Sequence, residues 1–261
     1  MIIDVHTHAF PDRIAEKAIQ ALTKNSGDYH PLTGGRADEL VASMKDAGVD
    51  ISLIGNIATR PGQADSILSW SKSIASDTII PLGSVHPGSD KWEDEIDAFA
   101  DAGFRGMKFH PQYQEIDADD PAMLRVYEKI ASRGMFTLFH AGYDIAFPGN
   151  EQAAPERFVR IRKAVPSLVM ILAHMGGWRA WDRVIESVAG GDMYIDTSFI
   201  HELTERQRTA ILSRHSEDLI VFGSDSPWTS QKESIAYIRA LPLSDERKEK
   251  ILGRNAAALI R

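Results

Sequence analysis

The sequence contains no cysteine. That absence removes disulfides, zinc–thiolate centres, iron–sulfur clusters and thiol catalysis. Any metal must then be held by His, Asp, Glu or a modified Lys. No apolar run approaches the roughly 18 residues of a membrane span, so no membrane partner is expected. The chain opens directly on "MIIDVHTH", with no basic segment leading into a long apolar stretch. No signal peptide is expected on that reading, and the expected location is cytoplasmic. Positive charge is scarce: 29 Lys and Arg stand against 37 Asp and Glu, for a net charge of −8. Such a chain gains nothing from attraction to phosphate backbones, so nucleic acid is not an expected partner. No Gly-rich phosphate loop follows the first apolar run.

What is present is a rhythm. The 261 residues, 43% hydrophobic and 25% charged, suit one globular domain over 1–261. Eight strand-like runs succeed one another: "MIIDVHTH", "VDISLIGNI", "TIIPLGSVH", "GFRGMKFHP", "GMFTLFHAG", "SLVMILAHMGG", "DMYIDTS" and "DLIVFGSDSPW". Amphipathic helical stretches separate and follow them, over about 37–46, 64–75, 91–102, 121–132, 155–165, 181–188, 204–213 and 232–240, with a last one over 245–260. Strict alternation demands parallel strands and crossover helices. The expected fold is α/β, a single distorted (β/α)8 TIM barrel, which typically takes about 250 residues. Two Gly/Pro/polar stretches, 25–35 and 146–154, are expected active-site loops.

The polar residues fall at the ends of these strands, the side of a barrel that carries catalysis. His6 and His8 lie two apart on the first strand, so both imidazoles reach the same side. Two such rings can bind one ion at about 2.0–2.1 Å. His140 follows "FTLF" and reads as a third ligand. His174 follows "VMILA" and reads as a second-metal ligand, a general acid/base or a group orienting another. Asp225 follows "LIVFGS", where a carboxylate is costly to desolvate unless paired or metal-bound. It reads as a ligand that also takes a proton, although "SDSP" also has helix-cap chemistry. Lys108 and His110 share strand parity. Lys108 is read as an anion binder, a carboxylated metal bridge or a neutraliser of inner carboxylates, and His110 as a substrate or metal contact. His86 is equally consistent with a turn. Arg60, Tyr113, Tyr143, Trp178 and Trp228 follow strands on loops that shape a pocket. His30, His201 and His215 carry no supporting pattern and are expected on loops or the surface.

In order and spacing, "DVHTH", "FHAG", "LAHMGG", "FGSDSPW" and the closing "ILGRNAAALI" resemble the amidohydrolase superfamily. The nearest resemblance is to its amidohydrolase-related group, which includes the aminocarboxymuconate semialdehyde decarboxylase-like proteins. The likeness spans essentially the whole chain. It implies a distorted TIM barrel with a divalent metal on His6, His8, His140 and Asp225. His174 would handle protons in one-metal members or ligate in two-metal members. Two-metal members carry a carboxylated Lys or a Glu at the fourth strand; "MKFHPQYQ" offers Lys108 there, with His110 nearer the strand end. One divalent ion is therefore expected, zinc first, with manganese or another ion as alternatives and a second metal left open.

The first functional expectation is a metal-dependent hydrolase of a small amide, lactone or ester. In it, Asp225 accepts a proton from metal-bound water and His174 stabilises charge or relays the proton. The alternative is a non-oxidative decarboxylase of a small unsaturated or aromatic acid, built on the same ligands. A phosphoesterase or nuclease and a non-catalytic metal-binding protein rank below both. The substrate is a small molecule, plausibly carboxylated, met by Lys108, His110, Arg60, Tyr113, Trp178 and Trp228. The resemblance also allows a homodimer.

Overall fold

Eight parallel strands surround a common axis: β1 (Ile3–Thr7), β2 (Ile51–Gly55), β3 (Ile79–Leu82), β4 (Gly106–Phe109), β5 (Phe136–Phe139), β6 (Met170–Leu172), β7 (Tyr194–Asp196) and β8 (Ile220–Val221). The computed structural model describes residues 1–260; Arg261, the last residue of the expected domain, lies outside them. β1–β3 pair in sequence order, and so do β4–β8. Two seams join these arcs. At one, Gly83 bridges Met107, and Lys108 N donates to Gly83 O at 2.7 Å. A Cβ on Gly83 would lie 2.6 Å from Met107 Sδ, so the strands meet there only because the residue has none. At the other seam Thr7 bridges Ser226, and Val5 N donates to Phe222 O at 2.9 Å. The ring is the expected TIM barrel, distorted where these seams are thin.

The helices are α1 (Asp12–Thr23), α2 (Ala37–Ala47), α3 (Ala64–Ile74), α4 (Trp92–Asp101), α5 (Pro121–Ser132), α6 (Pro155–Ala164), α7 (Trp181–Ser187), α8 (Glu205–Arg214), α9 (Gln231–Ala240), α10 (Asp245–Glu249) and α11 (Asn255–Ala257). Local chemistry sets several of their limits. α5 starts on Pro121, whose missing N–H costs nothing there, while Asp120 accepts from Ala122 N at 2.7 Å. α2 ends at Gly48 in the left-handed conformation. The expected single helix over 245–260 is instead α10, a π-helical turn at Lys250–Arg254, and α11. α1 is an element beyond the expected set.

Two cores result. The larger packs the helices on the barrel wall and includes Phe99, Phe109, Tyr127, Phe139 and Phe158. The smaller is made of strand residues, among them Ile3, Val5, Leu53, Leu138, Ile171 and Val221, and Ala256 and Ala257 of α11 pack onto it. This leaves the opposite end of the barrel for the polar residues. No helix among the described residues is long and apolar enough to cross a membrane.

Candidate metal centre and active-site cavity

His6, His8, Lys108, His110, His140, His174 and Asp225 line one cavity of about 770 Å³ at the ends of the strands. Strict alternation along β1 would put Asp4, His6 and His8 on one face. The β1–β2 register shifts between Asp4 and Thr7, which re-aims the strand. Asp4 thereby faces outward and accepts from Gln231 Nε2 of α9 at 2.8 Å and from Ser224 Oγ at 2.6 Å. His6 and His8 both reach Asp225.

The hydrogen bonds on the far side of each ring fix where its proton sits. His8 Nδ1 lies 3.1 Å from Gly55 O, a carbonyl that only accepts, so Nδ1 carries the hydrogen. His6 Nδ1 lies 2.8 Å from Asp196 Oδ2 and donates to it. In the neutral rings both Nε2 atoms are therefore bare. His8 Nε2 stands 2.9 Å and His6 Nε2 3.2 Å from Asp225 Oδ1, which is also an acceptor. All three atoms lie within 4.8 Å of one another. Lys108 Nζ, 3.2 Å from His6 Nε2, brings positive charge to one edge of the group. The convergence of two bare imidazole nitrogens on one carboxylate oxygen fits a divalent cation, held on N and O donors. The bonds to Gly55 and Asp196 are of the kind that orient metal-bound histidines.

A second pair of acceptors meets nearby. His140 Nε2 donates to Tyr143 O at 2.9 Å, which leaves Nδ1 bare and 3.1 Å from His174 Nε2. Ser198 Oγ donates to Asp196 Oδ1 and so accepts from His174 Nδ1 at 2.8 Å, leaving His174 Nε2 bare as well. The expected four-ligand set is thus only partly assembled. His6, His8 and Asp225 come together, while His140 stacks on His110 at 4.0 Å and groups with His110 and Asp144. Its bare Nδ1 remains directed at His174.

Burial, reinforced by neighbouring positive groups, pushes His6, His110, His140 and His174 well below the ordinary imidazole pKa. Neutral rings are what metal ligation needs. Burial also lowers Lys108 to about 8, against the opposing pull of Asp225 and Asp196. Asp196 is raised by burial, but Ser198 and the backbone N–H of His174 and Ser198 hold it as an acceptor. His174 and Asp225 both adopt positive φ, 61° and 66°, a conformation non-glycine residues avoid. Their frames hold them there: His174 N donates to Asp196 Oδ1 at 2.9 Å, and Asp225 N donates to His6 O at 2.8 Å. Strained residues cluster at functional sites.

Tyr113, Trp178 and Trp228 line the cavity as expected. The Trp178 strand extension lies against Gly142, where a Cβ would sit 2.2 Å from Trp178 N. Two buried atoms on these walls, His110 Nδ1 and Trp178 Nε1, have no hydrogen-bond partner among the described residues. Arg60 is a correction: it is exposed and does not line the cavity, because the loop after β2 turns outward there and Gln63 Oε1 accepts its backbone N–H. His86 serves a turn, accepting from Gly88 N at 3.1 Å. His215, expected on a loop or the surface, is buried, with Nε2 2.9 Å from Met193 O. The loop over 25–35 contributes Ser26 and Tyr29, and the 146–154 loop contributes Ala146. Sequence reasoning missed Asp196, Ser198, Asp144 and Tyr29. Asp196 ends the apolar run "MYI" and carried the same strand-end signal as Asp225.

An eight-stranded parallel barrel with His, Lys and Asp gathered at its C-terminal mouth defines a barrel enzyme. The chain belongs to the amidohydrolase family, whose model matches residues 3–261. No curated protein gave a significant match. Among solved structures it resembles an uncharacterised TIM-barrel protein from Bordetella bronchiseptica, with 17% identity and TM-score 0.78 over 99% of this chain and 98% of that one. It also resembles 5-carboxyvanillate decarboxylase from Sphingomonas paucimobilis, with 17% identity and TM-score 0.68 over 100% and 98% of the two chains. A third likeness is to 5-carboxyvanillate decarboxylase from Novosphingobium aromaticivorans, solved with manganese and 4-hydroxy-3-methoxy-5-nitrobenzoic acid. That match has 14% identity and TM-score 0.71 over 100% and 96% of the two chains. At these identities the likeness establishes the fold.

Proposed function

We propose that this protein is a metal-dependent, non-oxidative decarboxylase of a small unsaturated or aromatic carboxylic acid. The observation that carries the reading is the meeting of His6 Nε2, His8 Nε2 and Asp225 Oδ1 beside the Lys108 ammonium. His6, His8 and Asp225 would hold one divalent ion, zinc or manganese, with His140, whose bare Nδ1 faces His174 in this structure, as the expected fourth donor. The decarboxylases among the structural matches, one of them holding manganese and a substituted benzoic acid, support this order of preference over hydrolysis.

When bound, such an ion would supply Lewis-acid chemistry toward a substrate carboxylate. Lys108 balances the carboxylate's charge. His110 and Trp178, whose Nδ1 and Nε1 lack partners, meet further polar atoms of the substrate, while Tyr113 and Trp228 bound its plane. The carbon–carbon bond to the carboxylate breaks, its electron pair stays on the substrate carbon, and carbon dioxide leaves. The proton that this carbon takes up comes from solvent and is relayed by His174 or Asp225, whose bare Nε2 or carboxylate oxygen first accepts it.

A hydrolase of a small amide, lactone or ester is the second reading, favoured by the amidohydrolase family match. There Asp225 would accept a proton from water and pass it to the leaving group. The two are separated by incubating metal-loaded protein with panels of hydroxybenzoates and of lactones and amides. Carbon dioxide release without consumption of water supports decarboxylation; ring opening or amide cleavage without carbon dioxide overturns it.

A further inference from the structure

The cavity is larger than its chemistry requires. At about 770 Å³ it falls toward the upper end of the roughly 300–1,000 Å³ that encloses a drug-sized ligand. Its imidazole and carboxylate groups gather at the strand ends. The remainder runs outward as a cleft between α1 and α3, lined by apolar side chains of both helices together with Arg13 of α1 and Ser66, Ser69 and Ser73 of α3. On α1, Ile14, Ala18 and Leu22 follow one another at helical spacing along the lining face. On α3, Ile67 and Trp70 do the same from the other side.

The rest of the chain leaves this face of α1 largely uncovered. Ala15 is the only buried residue of α1, and Ile14 is 42% exposed. An amphipathic helix normally spends its apolar stripe against the core. Here part of that stripe is turned toward a cavity that is continuous with the cluster of His6, His8 and Asp225. The small side chains of Ala18 and Ala21 keep the cleft wide, and Ser66 and Ser73 on α3 line it together with the apolar residues. From Ser66 to Ser73 the α3 wall runs for about 10 Å.

We infer that the cleft between α1 and α3 is a substrate subsite that takes an extended apolar arm attached to the group that reacts at the strand ends. The substrate class is therefore a molecule whose reacting group carries an alkyl or aryl extension, larger than a single ring. This inference rests on the metal-centre reading, but not on whether the reaction is decarboxylation or hydrolysis. It makes α1 and α3 the elements that set specificity, while the strand ends set the chemistry.

The test uses alkanehydroxamates, which chelate metals whatever reaction the enzyme catalyses. Binding of the series from acetohydroxamate to decanohydroxamate to metal-loaded protein is followed by calorimetry. Affinity is expected to rise by about fourfold per added methylene until the cleft is filled. Ala18→Phe and Ala21→Phe, both on incompletely buried helix positions, are expected to flatten the series and leave acetohydroxamate binding unchanged. Acetohydroxamate binding with no gain along the series overturns the cleft assignment alone. Failure of every member to bind overturns it together with the metal centre. A third outcome, a dimer in sedimentation that Ile14→Asp dissociates, shows that a second copy covers the cleft and also overturns the inference. Carbon dioxide release is assayed separately, so failure of the decarboxylase reading does not register as failure of the cleft.

Discussion

His8 Nε2 faces Asp225 Oδ1 at 2.9 Å, and in the neutral ring, with its hydrogen on Nδ1 toward Gly55 O, neither atom carries a hydrogen. Two acceptors at hydrogen-bond distance repel unless a cation lies between or beside them. The same carboxylate oxygen meets His6 Nε2 at 3.2 Å, so the repulsion is doubled. Asp225→Asn turns one side of this contact into a donor toward His8. In metal-free protein the substitution is expected to raise stability by about 1 kcal/mol, the net worth of one hydrogen bond, or some 2–4 °C in melting temperature. In the loaded protein it removes an anionic ligand, and the metal content measured by plasma emission should fall to trace levels. A metal-free melting temperature that drops instead would remove the case for converging acceptors.

Asp196 does not line the cavity, yet it accepts from His6 Nδ1 and fixes that ring's bare nitrogen. It also accepts from Ser198 Oγ, which in turn receives the His174 proton. Asp196→Asn can offer an amide hydrogen where His6 expects an acceptor, and so flips the tautomer. Metal affinity is expected to weaken by about 10- to 100-fold. Competition titration with a fluorescent chelator measures this. Ser198→Ala should leave affinity at His6 nearly unchanged but slow turnover through His174.

The barrel is readable from the chain because each strand is a short apolar run and several helices begin or end on a recognisable residue, such as Pro121 or Gly48. His6, His8, His140, His174 and Asp225 are readable because a polar residue closing an apolar run is physically expensive. Asp196, the last residue of β7, obeys that same rule and is missed all the same. The β1 register shift separates Asp4 from His6 by tertiary pairing, which periodicity along one strand does not encode. Arg60 looked like a strand-end cation, but the loop's turn through Gln63 carries it into solvent. α1 was passed over because one helix per strand already satisfied the alternation. Its apolar face packs little against the rest of the chain, so nothing in the barrel pattern demands it.

Asp4 is fully buried and raised to about 6 by that burial, although Ser224 and Gln231 donate to it. Its unfolded value is about 3.9. Between these values the folded protein binds the proton and the unfolded chain does not, so stability falls as pH rises from about 4 to 6. The contribution is on the order of 3 kcal/mol. Asp4→Asn cannot titrate, so its stability relative to the native protein should improve across that interval. Urea titrations at pH 4, 5 and 6 test the trend; parallel pH profiles would contradict it.

Lys108 carries the opposite sign. Burial lowers it to about 8 in the folded protein, whereas an unfolded lysine titrates near 10.4. Between these values the unfolded chain binds the proton and the folded protein has released it. Stability of the metal-free protein should therefore rise with pH from about 8 to 10.4, by roughly 3 kcal/mol from this group. Surface lysines and tyrosines change over the same range in any variant, so the comparison is with Lys108→Met, which keeps the stem and removes the charge. The variant is expected to be more stable than the native protein at pH 7, because no ammonium is desolvated, and the advantage should vanish near pH 10. Bound metal places a second positive charge beside Nζ and should lower the lysine further, moving the transition below pH 8. If native protein and Lys108→Met keep a constant stability difference from pH 7 to 10, Lys108 does not change charge in that range and its ammonium balances the site throughout.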